Sequence, residues 1–285
     1  MIFSPETLAE RAKSVKIMGV LNITPDSFSD GGENFGADAA LRSAEEMVAC
    51  GVDFLDVGGE STRPGADPVP LEEEIRRVIP VIEALAKNFP QVPISVDTYK
   101  SRVAELALDA GAQWVNDISG GRFSPDMFHI VARRGAGIVI MHIKGTPKTM
   151  QKNPHYDDVV EEIYEFLVGQ AEKARTAGIP PDKIVIDPGI GFGKTYEDNI
   201  VLLNNIPRFK ESGYPVLVGT SRKSFIGHFV GEPDPKRRDP GSYATFLWSA
   251  LMGADILRVH DVCGTKQFLA MISALAERMP AATTS

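Results

Sequence analysis

The chain has 285 residues, 43% of them hydrophobic and 24% charged, and a formal net charge of −8. That composition is an ordinary globular one with ample material for a core. The acidic balance without a basic stripe argues against a nucleic-acid binder, and no run of about 18 apolar residues offers a membrane span. The length suits two small domains or one large α/β barrel. An anionic ligand stays possible, because a local cluster of arginine and lysine makes a basic pocket in an acidic protein.

The N-terminus carries Glu6, Glu10 and Arg11 and lacks the apolar stretch of a secretory signal. Ser4-Pro5-Glu6 reads as a helix start, with serine as cap and proline at the first helical position. Short runs rich in Val and Ile then recur: Lys16–Ile23, Phe54–Gly58, Ile94–Thr98, Trp114–Ser119, Ile138–His142, Ile184–Asp187, Pro215–Thr220 and Ile256–His260. Near-continuous apolar character at this length suits parallel strands buried on both faces. Stretches of helical spacing alternate with them: Ala39–Cys50, Leu71–Phe89, Lys100–Ala110, Pro125–Arg134, Asp157–Ala177, Tyr196–Ser212, Ser242–Met252 and Thr265–Arg278. Eight strand–helix units in one domain length favour a closed TIM (β/α)8 barrel over an open doubly wound sheet. The expected division is a helical extension over residues 1–15, a barrel over 16–279 and a disordered tail over 280–285. The two cysteines, Cys50 and Cys263, lie far apart in sequence. They suggest a reduced cytoplasmic setting rather than a disulfide framework.

Nearly every predicted strand ends in a polar residue: Asn22, Asp56, Asp97, Asn116 with Asp117, His142, Asp187, Ser221-Arg222-Lys223, and Arg258 with His260. A buried parallel strand has no structural need of a charge at its end. In barrels the C-terminal strand ends form the active face. Any one of these residues could instead cap a helix or bond across strand tips. The whole set is harder to explain that way, since carboxylates, amides and cations converge on one rim.

Two long polar loops follow the first two strands, Asn22-Ile23-Thr24-Pro25-Asp26-Ser27-Phe28-Ser29-Asp30-Gly31-Gly32 and Asp56-Val57-Gly58-Gly59-Glu60-Ser61-Thr62-Arg63-Pro64-Gly65. Loops of this kind commonly act as lids. Plain turn chemistry is the competing reading, but Phe28 and Arg63 are costly choices for a passive turn. The stretch Asp187-Pro188-Gly189-Ile190-Gly191-Phe192-Gly193-Lys194-Thr195 imitates a P-loop. The position that should be glycine is Pro188, which also lacks the N–H of a phosphate cradle. Nucleoside triphosphate binding is therefore excluded there. A flat ring could lie against Gly189 and Gly191 and stack on Phe192, with Asp187 accepting from its N–H groups.

Ser221-Arg222-Lys223-Ser224 and Arg258-Val259-His260 follow the seventh strand and end the eighth, where barrels often bind phosphate. The five histidines show no zinc spacing. Any metal is better matched by Mg2+, with Asn22 as a ligand. His142 reads as structural, Cys50 as core, and Cys263 has no evident base to make it a nucleophile.

Met18 to Gly32 resembles the first signature of dihydropteroate synthases, and Gly58 to Gly65 the second. Ser95-Val96-Asp97-Thr98, Asn116-Asp117-Ile118, Met141-His142, Gly145 to Met150, Asp187-Pro188-Gly189, Ser221 to Ser224 and Arg258 to Val262 follow in family order. The resemblance covers residues 16 to 265. Its small departures include Thr220, where bacterial members often carry methionine. It implies a TIM barrel, usually a homodimer, acting in folate synthesis with Mg2+. The implied substrates are a dihydropterin-CH2-diphosphate and 4-aminobenzoate, with no nucleic acid or membrane partner. Carried onto matching positions, it implies a pterin pocket of Asp97, Asn116, Asp187 and Lys223. Met141, Phe192 and Gly219 would lie beside the ring, and Asp56 is a further candidate. The diphosphate would meet Asn22, Thr62, Arg63, Arg258 and His260, with Mg2+ at Asn22. The aminobenzoate would lie near Phe28, Thr62, Pro64, Lys223 and Ser224. Asp30 would stabilise a cation-like pterin methylene. The residues bet on for catalysis are Lys223, Arg63, Asp30, Arg258 and His260. A pterin-dependent methyltransferase domain and a non-catalytic pterin-binding paralogue are the rival readings. Neither needs both lids and the cations at the seventh and eighth strand ends.

Overall fold

A computed structural model describes residues 4–23 and 33–279. Helix α1 (Pro5–Ser14) starts as expected, with Ser4 Oγ accepting from the Thr7 amide. It lies against the outer helices α10 (Asp239–Met252) and α11 (Val262–Ala276). The strands are β1 (Lys16–Asn22), β2 (Phe54–Gly58), β3 (Ile94–Asp97), β4 (Trp114–Asp117), β5 (Gly137–Met141), β6 (Ile184–Asp187), β7 (Leu217–Val218) and β8 (Ile256–Val259). The helices between them are α2 (Glu33–Ala49), α3 (Leu71–Asn88), α4 (Ser101–Asp109), α5 (Met127–Arg133), α6 (Val159–Thr176), α7 (Tyr196–Asn204), α8 (Ile206–Lys210) and α9 (Ser224–Val230).

Among the described residues every strand pairing is parallel, in the order β6-β5-β4-β3-β2-β1-β8-β7. A bridge between Ile186 and Val216 joins the two ends, so the sheet closes into the (β/α)8 barrel. Strand alternation then sorts the side chains. Ile17, Leu55, Val57, Ile94, Val96, Val115, Ile138, Ile140, Ile184, Ile186, Val218, Leu257 and Val259 belong to the large apolar cluster shared with the helices. Met18, Val139, Val185, Leu217 and Ile256, with Phe54 and Trp114 against them, form a separate cluster that plugs the barrel. Two residues further along the same inward-facing rows come Asp56, Asn116, Met141, Asp187, Gly219 and Arg258. The apolar plug is thus the floor of the polar site.

Several expectations needed revision. The helix read over Tyr196–Ser212 breaks at Asn205, where Pro207 opens a new turn in α8. Helix α9 was not anticipated, because Ser224–Val230 is a short segment directly behind a cationic loop. Asp117 does not face the site: it accepts from the Ser119 and Gly121 amides and holds the turn after β4. Cys50 and Cys263 are joined in a disulfide, against the expectation of two separate thiols. Barrel closure places α2 and α11 side by side, so 213 residues of sequence separation collapse to a Cα–Cα distance of 5.2 Å.

Candidate active site

The C-terminal rim gathers Asp56, Asp97, Asn116 and Arg258 into one buried cluster. Arg258 Nε donates to Asp56 Oδ2 at 2.6 Å and its Nη2 to Asp97 Oδ2 at 2.6 Å. Asn116 Nδ2 donates to Asp56 Oδ2 at 3.0 Å. The second oxygens, Asp56 Oδ1 and Asp97 Oδ1, are buried without a hydrogen-bond partner. Buried carboxylate oxygens are rarely left so, and an orphan acceptor facing a site calls for a donor from a ligand. Burial pushes the Asp97 carboxyl up to about 7; Arg258 opposes the shift and the neighbouring Asp56 adds to it.

The opposite side of the pocket is built by the loop after β6. Asp187 Oδ1 accepts from the Gly189 amide at 2.7 Å, and burial raises its pKa against the opposing charge of Lys223. Gly189 has φ +72°, and a Cβ there would lie 1.9 Å from the carbonyl oxygen of His142. Only glycine lets this turn pass so close to the end of β5. At Gly191, φ +82°, a Cβ would press on Lys223 Cδ at 3.0 Å, so its absence makes room for the lysine stem. Lys223 Nζ donates to the Ile190 carbonyl and sits 4.6 Å from the centre of the Phe192 ring. Burial lowers its pKa to about 8, with Asp187 pulling the other way. Met141 packs in a cluster with Ile118, Ile143 and Met150, against which Phe192 rests. Gly219 lies beside Arg258, whose Cβ is 3.6 Å from the place a glycine Cβ would take.

His260 Nδ1 is 2.9 Å from Ser221 Oγ, which also accepts from the His260 amide. Burial, then Arg258, Arg222 and Arg63, lower the His260 pKa to about 3, so the ring is neutral in the free protein. Asn22 ends β1 opposite Gly58, and the gap left by the missing glycine side chain faces both Asn22 Oδ1 and Asp97. Thr62, Arg63 and Pro64 lie on the loop between β2 and α3, with Arg63 and Pro64 exposed. Ser224 is exposed at the start of α9. Phe28 and Asp30 lie outside the described residues.

Asn116, Asp187, Lys223, Met141, Phe192 and Gly219 all lie at the C-terminal rim of the barrel. Asp56, a secondary candidate in the sequence, sits at the centre of the cluster. Arg258, expected at the diphosphate, bridges the two pocket carboxylates in this structure. Sequence reasoning missed Lys194. Its buried Nζ reaches the carbonyls of Phe192 and His142 at 2.9 and 3.3 Å and His142 Nδ1 at 3.1 Å, tying the ends of β5 and β6 together. The false P-loop ending was the only signal for it. His142 is structural, its pKa lowered to about 2 chiefly by burial. Thr220 is buried and accepts a hydrogen bond from Thr245 Oγ1 at 2.8 Å.

The pterin binding enzyme family model matches residues 18–260. A dihydropteroate synthase of Synechocystis is 48% identical over 95% of this chain and 93% of its own length. The chain belongs to the dihydropteroate synthase family. A Bacillus subtilis dihydropteroate synthase is 43% identical, covering 96% of this chain and 93% of its own. The Xanthomonas albilineans enzyme solved with 4-aminobenzoic acid superposes with a TM-score of 0.87 at 45% identity, covering 94% of this chain and 95% of its own. The same enzyme with 7,8-dihydropteroate gives 0.83 at 42% identity, over 94% and 96% of the two chains. Membership in this family is the transferase assignment, and it sets aside the methyltransferase domain.

Proposed function

We propose that this rim performs the condensation of a (dihydropterin-6-yl)methyl diphosphate with 4-aminobenzoate, releasing pyrophosphate in folate synthesis. One observation carries the residue-level reading. Asp56 Oδ1 and Asp97 Oδ1 are buried acceptors without donors, on the same floor as Asn116 and opposite Asp187. A flat heterocycle with several ring N–H groups supplies the missing donors, and charge-assisted bonds of this kind are the strong ones.

In this reading Asp97, Asn116, Asp187 and Asp56 fix the pterin, with Met141, Phe192 and Gly219 along its faces. Lys223 lies between the ring and the second substrate. Arg258 anchors the pocket carboxylates and offers its remaining donors toward the diphosphate. Arg63, Thr62, Asn22 and His260 receive the diphosphate oxygens as charge grows on the leaving group. An arriving diphosphate would raise the pKa of His260. Thr62, Pro64, Lys223 and Ser224 border the aminobenzoate; the roles that the resemblance implies for Phe28 and Asp30 fall on residues outside those described. The aryl amine is a weak nucleophile, so departure of the leaving group comes first in this reading, and a site closed to water would keep the cation from being trapped.

Mg2+ suits the donor set under one condition. Among the described residues no group of three or more His, Cys, Asp or Glu could hold a metal. Asn22 offers a single amide oxygen, so an ion there needs phosphate and water oxygens to complete its shell, as Mg2+ commonly does. When bound it would neutralise charge on the leaving diphosphate.

We further propose a homodimer in the cytoplasm, on the family resemblance; light scattering tests the first point and cell fractionation the second. No helix among the described residues is long and apolar enough to cross a membrane. The reaction is tested by pyrophosphate release with and without 4-aminobenzoate. Release coupled to dihydropteroate formation is expected, and tight pterin binding without condensation would point to a non-catalytic paralogue.

A further inference from the structure

The loop between β2 and α3 leaves the barrel at Gly58 and enters the helix at Leu71. Its two ends are fastened to each other by a buried charge cluster that the reaction does not use. Glu60 Oε2 accepts from the Val69 amide at 2.9 Å, and Lys100 Nζ donates to the Val69 carbonyl at 2.7 Å. Lys100 Nζ also reaches Glu60 Oε2 at 2.5 Å and pairs with Glu74 in the first turn of α3. Tyr99 Oη donates to Glu60 Oε1 at 2.5 Å. Glu60 and Glu74 are buried, and Lys100 is nearly so. Residues 61–68, which carry Thr62, Arg63 and Pro64, therefore form an Ω-shaped excursion closed at its neck by one ammonium. The tip is held more loosely: the Gly65 amide donates to the Pro147 carbonyl at 3.0 Å, and Lys148 pairs with Asp67 at the surface.

Two buried carboxylates facing one lysine make an expensive arrangement for a turn that backbone hydrogen bonds alone could close. Its geometric product is a fixed neck, about which a loop bearing an exposed arginine cannot swing freely. We propose that Lys100 is a positioning residue for the reaction: by clamping Glu60, Val69 and Glu74 together it sets where Arg63 and Thr62 stand over the diphosphate. This rests on the reading of Arg63 as a diphosphate ligand given above. The Lys100 ammonium bonds to Glu60, Val69 and Glu74 and to none of the pocket side chains, so its removal should separate the two halves of the substrate. The hydrogen bonds that hold the pterin floor run among Asp56, Asp97, Asn116 and Arg258 and none involves Lys100, so the floor keeps its contacts, whereas the diphosphate loses an ordered partner.

The test compares Lys100→Met, Lys100→Arg and Arg63→Ala. Each is measured for kcat, for the KM of both substrates, and by calorimetry for affinity toward inorganic pyrophosphate and, separately, toward 6-hydroxymethyl-dihydropterin. In Lys100→Met the affinity for pyrophosphate and the KM of the pterin diphosphate should each worsen roughly tenfold to a hundredfold. Affinity for the hydroxymethyl-pterin should stay within about twofold, and Lys100→Arg should recover most of the loss. If Lys100→Met only melts earlier, with every affinity and KM unchanged, the cluster is a stability element and the inference is wrong. If Arg63→Ala leaves pyrophosphate affinity intact, the Arg63 reading fails and takes the inference with it. If Lys100→Met does not fold, Tyr99→Phe carries the same comparison by removing a single donor to Glu60. Weaker pyrophosphate binding there supports the clamp, and no change overturns it.

Discussion

Asp56 and Asp97 share one cation: Arg258 reaches an oxygen of each at 2.6 Å, and the other oxygen of each is buried without a partner. The free protein thus keeps an excess of acceptors in its floor. Burial, with the neighbouring Asp56 adding to it, pushes the Asp97 carboxyl up to about 7 against the pull of Arg258, and the unpaired oxygens fit a ligand rich in N–H donors.

The first prediction concerns stability against pH. An unfolded Asp titrates near 3.9, and in the fold Asp97 titrates near 7. Between those values the folded chain holds the extra proton, so this group's contribution to stability falls as pH rises through the window. Asp97→Asn should remove that dependence and raise Tm at pH 8 by about 2–4 °C, while weakening pterin binding. Thermal melts of both proteins at pH 5 and pH 8 decide it; a variant that melts lower than wild type at pH 8 contradicts the assignment.

Lys223 should set an alkaline limb. Burial lowers its pKa to about 8, so its charge is lost as pH rises through that value. If the ammonium is what the reaction needs, kcat/KM should fall above pH 8 in the free enzyme's profile. Lys223→Arg, charged throughout, should flatten the limb even at reduced activity, and Lys223→Ala should lower turnover by about 10²-fold or more with the fold intact. A wild-type profile level to pH 9.5, or near-normal turnover of Lys223→Ala, would falsify this role.

Gly189 offers a test of backbone approach. A Cβ at this residue would lie 1.9 Å from the His142 carbonyl oxygen, at a φ of +72°. Gly189→Ala must move either the end of β5 or the turn that aims Asp187. The expected cost is about 3 kcal/mol or more in urea unfolding. A loss under about 1 kcal/mol would mean that the turn is more yielding than its geometry indicates.

The barrel was legible because eight apolar runs alternate with helical stretches, and the candidate rim because polar residues recur at the strand ends; in the structure these stand two places after the apolar plug. Phe54 to Asp56, Trp114 to Asn116, Val185 to Asp187 and Ile256 to Arg258 are the same step repeated on four strands. What escaped depends on the third dimension. Nothing local in the sequence says that Arg258 crosses the barrel to Asp56 and Asp97, or that Lys100 reaches back to Glu60. Helix α9 escaped because seven residues carry too little periodicity. The break before α8 was signalled by Pro207, and it was passed over in favour of one long helix.

The pairing of Cys50 with Cys263 leads to a last prediction, because it opposes the reduced setting the two cysteines first suggested. The bond joins the residue just after α2 to the first turn of α11, across 213 residues of chain. A crosslink closing so long a loop restricts the unfolded chain more than the folded one, with a typical gain of about 2–4 kcal/mol. In a reducing cytoplasm the same two residues would be thiols, and the fold would stand without that gain. Protein purified under air should therefore show no free thiol in denaturant and should lose stability on adding a strong reductant. Cys50→Ser should match the reduced protein and be indifferent to reductant. Substrate affinities should be alike in all forms, since neither cysteine touches the pocket cluster. Two free thiols in protein purified under air would show that the pair does not form in solution, and the thermal stability would then be independent of reductant.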